Sequence, residues 1–206
     1  MQSREVFFAM LASAMAMYNV TFFASFLAIV LQKKYGVADE DMGFYFVVLS
    51  IPYLFAALAF PLIFSKFPRK LLFVLCFFFS AFAIGMMGPS KILGMPDKSM
   101  PFMLIGMFLL GFMQAFCFIP CLPEVMDVIQ IKYKIILGHD EDFDAKLNDS
   151  ISSLYNLFYC LSSLFGPILG GVMYDQLGYE TTMDLNMVFV FLIFVAYAAL
   201  NCGLNV

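Results

Sequence analysis

The feature that most constrains this chain is a series of apolar runs, each long enough to cross a lipid bilayer. A helical crossing of the hydrocarbon core takes about 20 predominantly apolar residues. Six runs meet that requirement, at residues 6–31, 42–64, 71–87, 102–131, 150–174 and 184–204. They predict an all-α membrane protein, folded as a single bundle of six transmembrane helices and embedded in lipid.

Composition supports the membrane location and argues against several other classes of protein. Hydrophobic residues make up 63% of the chain and charged residues 13%, too few charges to cover a soluble domain. The net charge of -4, without a basic cluster, argues against nucleic-acid binding. One histidine, scattered cysteines and no nucleophile–base or phosphate-binding motif predict neither an enzyme nor a bound metal or cofactor. The five cysteines all fall in apolar runs and are expected to be buried small hydrophobes.

The distribution of positive charge predicts the orientation of the bundle. Six crossings place both chain ends on one side, where seven lysines and arginines fall, against four on the other side. The positive-inside rule therefore predicts cytosolic termini. The first run begins close to Met1 and is too long for a signal-peptide core, so we expect neither a cleavable signal nor a long linker before it.

The segment 132–149 is the only extended polar connection and is predicted to be a cytosolic loop. Asp140, Asp142 and Asp144 in this loop have the spacing of a calcium site. Ala145 stands where that site needs its turn glycine, and Ile151 stands where it needs its bidentate glutamate. A solvated acidic loop is therefore predicted, without a metal.

The fifth run has a glycine pattern that favours a close helix crossing. Gly166 and Gly170 are four residues apart and form one smooth helical face, while Pro167 invites a kink. Such a helix could rock against a neighbour, or it could form a tight and immobile crossing. The candidate residues for gating or helix packing are Gly166, Pro167, Gly170, Gly171, Asp175 and Gly178.

A weak internal repeat relates the two halves of the chain. Residues 61–69, at the end of the second run, have the same spacing of turn-forming and polar residues as 171–179, at the end of the fifth. The two runs cross the membrane in opposite directions. This arrangement predicts a 3+3 inverted repeat, which is a transporter design.

The fourth run carries the acidic residues most suggestive of function. Pro120 and Pro123 bend or unwind the helix, which membrane proteins tolerate beside a cavity. A carboxylate at Glu124 is costly in a membrane unless it is protonated, paired or hydrated. Glu124, with Asp127 as a helper, is the candidate for proton coupling or for pairing with a cationic substrate. In the alternative, both are interfacial charges close to the lysines at 132 and 134.

The first run offers a candidate site for an organic cation. Asn19 shares a helical face with Met15, Phe22, Phe23 and Phe26, so an amine could lie over the rings while the amide orients it. In the alternative, which we favour, Asn19 bonds to another helix and the rings are packing. The candidate substrate-binding residues are Asn19, Phe22, Phe23, Gln114 and Glu124, and the candidate proton-coupling residues are Glu124 and Asp127.

Several of these features together resemble a known family. Tyr35-Gly36 and Gly43 around the first loop and the Gly-Pro-x-x-Gly-Gly of the fifth run look like the C-terminal six-helix half of a major facilitator superfamily transporter. Ile119-Pro-Cys-Leu-Pro-Glu-Val125, followed later by LFGPILGGVMYDQLGY, is most similar to the vesicular amine and polyamine transporter branch. The loop at 61–70 departs from the family motif, because its aspartate and both glycines are absent.

The resemblance implies a role for each helix. The first and fourth would line the central cavity, the second and fifth would contact the other half, and the third and sixth would face lipid. It also implies half of a secondary transporter that moves a small organic cation such as an amine or polyamine by proton-coupled alternating access, in a vesicular or other endomembrane. The partner would be a second six-helix half, as a separate chain, a missing segment or a second copy. The alternatives are a non-transporting subunit of a larger membrane complex, or a transporter of another small solute.

Overall fold

The computed structural model describes residues 4–64, 67–90, 92, 94, 100–133 and 141–201. These residues form no strand and six long helices, each apolar enough to cross a membrane. The helices are α1 (Arg4–Tyr35), α2 (Met42–Ala59), α3 (Arg69–Met87), α4 (Met100–Tyr133), α5 (Glu141–Leu177) and α6 (Tyr179–Asn201). A 3₁₀ turn at Asp39–Asp41 precedes α2, and a π-helical turn at Phe60–Phe64 extends it.

Two helices, α5 and α6, begin well before the starts that hydropathy predicts. Helix α5 starts at Glu141, so residues 141–149, predicted as loop, are helical. Acidic side chains suit the first turn because they complement the helix dipole. This helix replaces the extended segment that a calcium loop would need. Helix α6 starts at Tyr179, with only Gly178 between it and α5. Gly178 has a φ of 77°, which permits the abrupt turn.

Helix contacts follow the predicted inverted repeat. Helix α1 packs along α5 as α4 packs along α2, and the pairs α1–α4 and α3–α6 each join one triplet to the other. One contact departs from the symmetry: the backbones of α3 and α4 pack closely, whereas those of α1 and α6 lie farther apart and meet mainly through side chains. An apolar groove of about 630 Å³ lies between α1, α5 and α6. Its lining is almost entirely apolar, which suits a lipid chain better than a charged solute.

Burial divides the helices into two groups. In their most apolar stretches, 61% of the residues of α3, 56% of α1 and 50% of α4 are buried in the bundle, against 28% for α6, 22% for α2 and 11% for α5. Helix α3, expected to face lipid, also packs between α4 and α6. It exposes only one helical stripe, formed by Leu71, Leu75, Phe78 and Phe82.

Glycines allow α4 to approach two of its neighbours closely. A Cβ at Gly106 would lie 2.7 Å from the carbonyl oxygen of Ala83 on α3. A Cβ at Gly111 would collide with the carbonyl of Leu49 on α2. In lipid no hydrophobic effect drives helices together. Their association therefore depends on close packing of this kind. The bundle is therefore built around α4, held between α2 and α3.

Candidate functional site

The glycine face of α5 lies against α1. A Cβ at Gly166 would collide with Thr21, and one at Gly170 would lie 2.5 Å from the carbonyl oxygen of Phe22. Thr21 Oγ1 also lies 3.5 Å from the carbonyl oxygen of Ser162 on α5. The two helices therefore approach closely, with the backbone of Phe22 and the short side chains of Thr21 and Ser25 at the contact. This contact has the form of the tight crossing given above as the alternative to a rocking helix.

The other residues of the predicted gating set lie apart from that contact. Pro167 and Asp175 are exposed, and a Cβ at Gly171 would meet nothing within 4 Å. Gly178 forms the turn between α5 and α6. The set therefore divides into two packing glycines, one turn glycine and three positions on the open side of α5.

Asn19 and its phenylalanines lie in the core of the bundle. Asn19 is 3% exposed, and its Oδ1 accepts a hydrogen bond of 3.5 Å from Nδ2 of Asn186 on α6. Phe22 and Phe23 are 0% and 1% exposed. This is the arrangement of the favoured alternative, in which the amide bonds to another helix and the rings pack. None of the three lines an open surface, so we do not keep them as substrate contacts.

Gln114 lies where α4 crosses α1. Its side chain is buried, and Nε2 donates a hydrogen bond of 3.4 Å to the carbonyl of Ala16. Phe118 follows one turn later on α4. Gln114 thus joins the two helices expected to line a cavity, close to the aromatic residues described next.

Four aromatic side chains converge on the side of α4 that faces α2 and α5. The ring of Phe118 lies 6.2 Å from that of Tyr53 on α2 and 6.0 Å from that of Tyr159 on α5. Tyr155 stacks on Tyr159 at 6.3 Å. All four rings are half-buried. We call Tyr53, Phe118, Tyr155 and Tyr159 the aromatic cluster.

The aromatic cluster was not predicted from the sequence, although the sequence contains one signal for it. Tyrosines in membrane helices concentrate at the bilayer surface. Tyr53 lies near the middle of its predicted span, and Tyr155 and Tyr159 share a helical face by their four-residue spacing. The contact among three helices could not be read from the chain, because it depends on tertiary packing.

The predicted proton-coupling residues meet a cation from α3. Nη1 of Arg69 donates to Oδ2 of Asp127 and lies 3.6 Å from Oε2 of Glu124. The side chain of Glu124 is 14% exposed, and those of Arg69 and Asp127 are 35% and 50% exposed. In the alternative interpretation the two carboxylates lie close to the lysines at 132 and 134, whose side chains the structure does not describe. Arg69 comes from the loop in which the family motif is degraded.

The end of the bundle that holds this ionic cluster also holds the start of α1 and the end of α6. The rings of Phe8 and Tyr197 lie 5.6 Å apart there, and Phe73 on α3 touches Tyr197. We call it the terminal end and the opposite end the far end.

At the far end, Tyr179 connects three helices. Its hydroxyl donates to the carbonyl of Met87 on α3, and its ring packs on Phe26 of α1. Nζ of Lys34 lies 5.2 Å from the centre of the Tyr179 ring and 3.1 Å from Oε1 of Glu180. These contacts fix the start of α6 against α1 and α3, and we call them the tyrosine clamp.

The cysteines divide into buried and exposed. Cys76, Cys117 and Cys121 are buried as predicted, whereas Cys160 is exposed on α5, which corrects the prediction for that residue. Cys202 lies outside the described residues. Within the described ranges, no three His, Cys, Asp or Glu side chains are grouped so that they could hold a metal ion.

The fold and this site define a class of protein: a polytopic membrane protein whose six helices form an inverted repeat with a weakly buried side at α2 and α5. The chain belongs to the Major Facilitator Superfamily, whose family model matches residues 7–201. This match confirms the family suggested by the sequence.

Two relatives resemble the chain over most of its length. The chain is 24% identical over 158 residues to the human protein "MFS-type transporter SLC18B1", covering 75% of this chain and 32% of the relative. It is 24% identical over 175 residues to the rat protein of the same name, covering 84% and 36%. These matches support the resemblance to the vesicular amine and polyamine branch. The chain spans about a third of the length of these relatives.

Proposed function

We propose that this chain is one six-helix half of a secondary transporter that carries a small organic cation, such as an amine or polyamine, by proton-coupled alternating access. The observation that carries the proposal is the aromatic cluster. It joins α2, α4 and α5 on the weakly buried side of the bundle. The proposed location is a vesicular or other endomembrane, on the strength of the resemblance.

The chemistry of the aromatic cluster suits an organic cation. An ammonium group over an aromatic face is attracted by the partial negative charge of the ring's π face, and the attraction is worth about 2 kcal/mol or more where water is excluded. Three of the four rings are tyrosines, whose hydroxyls could also accept hydrogen bonds from an amine. Gln114, one turn before Phe118, would hold α1 against this part of α4.

The low burial of α2 and α5 supports a second half as partner. In their apolar stretches only 22% and 11% of residues are buried within the bundle. Their apolar surfaces would pack against a second six-helix half, on a longer form of this chain, on a separate chain or on a second copy. The aromatic cluster would then lie between the halves, where both could contact the cargo.

Glu124, Asp127 and Arg69 are our proposed proton-coupling group. Protonation of a carboxylate would remove its charge and weaken its attraction to Arg69, which holds the start of α3 to α4. Because both carboxylates contact Arg69, their protonation would directly weaken the contact between α3 and α4. With cytosolic termini, as the charge distribution predicts, this group would lie on the cytosolic side.

Uptake into liposomes tests the proposal. The chain would be reconstituted with its complementing half, with an acidic lumen, and supplied with radiolabelled spermidine. We expect accumulation that stops when a protonophore collapses the pH gradient, and competition by tetraethylammonium but not by a neutral sugar. Spermidine accumulation that persists in the presence of the protonophore would contradict proton coupling. Uptake of the sugar would contradict the assigned cargo.

The burial of Asn19 favours one alternative. In this alternative the chain is a non-transporting subunit of a larger membrane complex. Such a subunit needs no polar group for cargo, so its buried amide at Asn19 would only join α1 to α6. This alternative predicts stable co-purification with subunits that are not transporters. It also predicts that spermidine leaves the melting temperature of the assembled protein unchanged.

A further inference from the structure

Two cysteines on neighbouring helices have their sulfur atoms in contact. Cys76 lies on α3 and Cys117 on α4, and their Sγ atoms are 2.7 Å apart. A disulfide bond is about 2.05 Å long. A movement of well under 1 Å would therefore bring the sulfurs to bonding distance.

The surrounding hydrogen bonds direct the Cys117 thiol at the sulfur of Cys76. The thiol of Cys117 donates to Sγ of Cys76, which in turn lies 3.1 Å from the carbonyl oxygen of Met113 and can donate to it. Cys121, one turn farther along α4, donates instead to the carbonyl of Ala9 on α1 at 3.1 Å. The geometry therefore selects one pair among the three buried cysteines.

We propose that Cys76 and Cys117 are a redox modification site, where a reversible disulfide joins α3 to α4 just before Pro120. The crosslink would connect positions 41 residues apart. It would hold α4 to α3 next to the double-proline segment, while Arg69 holds the same two helices beyond it.

Hydrogen peroxide is the oxidant class that fits the site, because both sulfurs are buried and only a small, uncharged oxidant could reach them. One thiol attacks a peroxide oxygen, forming a sulfenic acid and releasing one water. The second sulfur then attacks the sulfenic sulfur, forming the S–S bond and releasing a second water. Two thiols are oxidised and one peroxide is reduced to two waters. Burial slows the first step, while contact between the sulfurs favours the second.

Mass spectrometry of the full chain tests the proposal. Cys160 and Cys202 would first be replaced by serine to prevent crosslinks between molecules. The protein would be treated with peroxide in lipid, denatured, alkylated and digested without reductant. We expect a linked peptide pair containing Cys76 and Cys117, with alkylation lost at both positions and restored by dithiothreitol.

Single variants identify the pair. Cys76→Ser should leave Cys117 fully alkylated, and Cys117→Ser should leave Cys76 fully alkylated. Cys121→Ser, the matched control on the same helix, should retain the crosslink. The proposal is overturned if both thiols of the parent stay free, if they proceed to sulfinic acid, or if Cys121 forms the crosslink. The parent measurement decides the matter even if a serine variant fails to fold.

Discussion

The two ends of the bundle are held together by different kinds of interaction. At the terminal end, Arg69 joins α3 to α4 through two carboxylates, in a group that is partly open to solvent. At the far end, the tyrosine clamp uses a buried neutral hydroxyl and ring packing, with a single ion pair at its edge. A charged contact can be weakened by protons, whereas a neutral one at the same pH cannot. We therefore expect pH to change the strength of the contacts at the terminal end and to leave the buried contacts of the far end unchanged.

The largest effect on stability should come from removing the centre of the tyrosine clamp. Tyr179→Ala deletes a buried ring and the hydrogen bond to Met87, and we expect a loss of about 3 kcal/mol or more. Thermal unfolding in detergent measures it. Tyr179→Phe should lose only the hydrogen bond, about 1 kcal/mol. Phe191→Ala, which deletes an exposed ring on the same helix, is the control. Equal melting temperatures for Tyr179→Ala and the control would show that the tyrosine clamp does not stabilise the far end.

The second prediction separates the two ends by their effect on transport. Glu124→Gln keeps the shape of the side chain but cannot release a proton, so we expect uptake driven by a pH gradient to fall about tenfold, equivalent to about 1.4 kcal/mol. Glu180→Gln makes the same chemical change at the far end and should stay within about twofold of the parent. If uptake were the same in Glu124→Gln as in the parent, Glu124 would have no part in coupling.

The third prediction concerns the energy of the ionic cluster. Arg69→Gln should lower stability by about 1 kcal/mol, since partial exposure of the groups weakens their attraction. The loss should shrink in an Asp127→Asn background and at 1 M salt, where exposed charges are screened. Lys146→Gln, an exposed lysine on α5, serves as the control. A loss that is independent of both the background and the salt would show that Arg69 acts through packing and not through charge.

The smallest effect should come from the edge of the tyrosine clamp. Lys34→Met keeps the aliphatic stem but removes the ion pair with Glu180 and the contact over Tyr179, and we expect a loss of about 0.5 kcal/mol. Lys33→Met, on an exposed neighbour in α1, should have no measurable effect. If Lys34→Met cost as much as Tyr179→Ala, the far end would be an ionic contact as well, and the difference between the ends would disappear.

Sequence predicted the class of fold because hydropathy reports burial in lipid, which six apolar runs satisfy without any tertiary information. It predicted helix ends less well for the same reason: the first turns of α5 are polar and helical, so hydropathy placed them in a loop. The position of α3 also depends on packing. An apolar composition suits a helix that faces lipid as well as one that lies between α4 and α6.

The candidate site shows the same limit. The spacing around Asn19 placed its phenylalanines on one face but could not say whether that face meets α6 or a cavity. Glu124 was recognised as a costly charge with Asp127 as its helper, yet their partner Arg69 is 58 residues from Asp127. The aromatic cluster joins α2, α4 and α5, and nothing local to any one of these helices predicts the others. Residue chemistry was readable along the chain, and pairing across helices was not.

The contact of Gly166 and Gly170 with α1 has a consequence for motion. The side chains of α1 at this contact, Thr21 and Ser25, are short, so they leave little room for one helix to shift independently of the other. During any opening and closing, α1 and α5 should therefore translate as one rigid body. Spin labels placed on α1 and α5 would report the same distance in every conformation. Labels placed on α1 and on a second six-helix half would report two distances, one for each conformation.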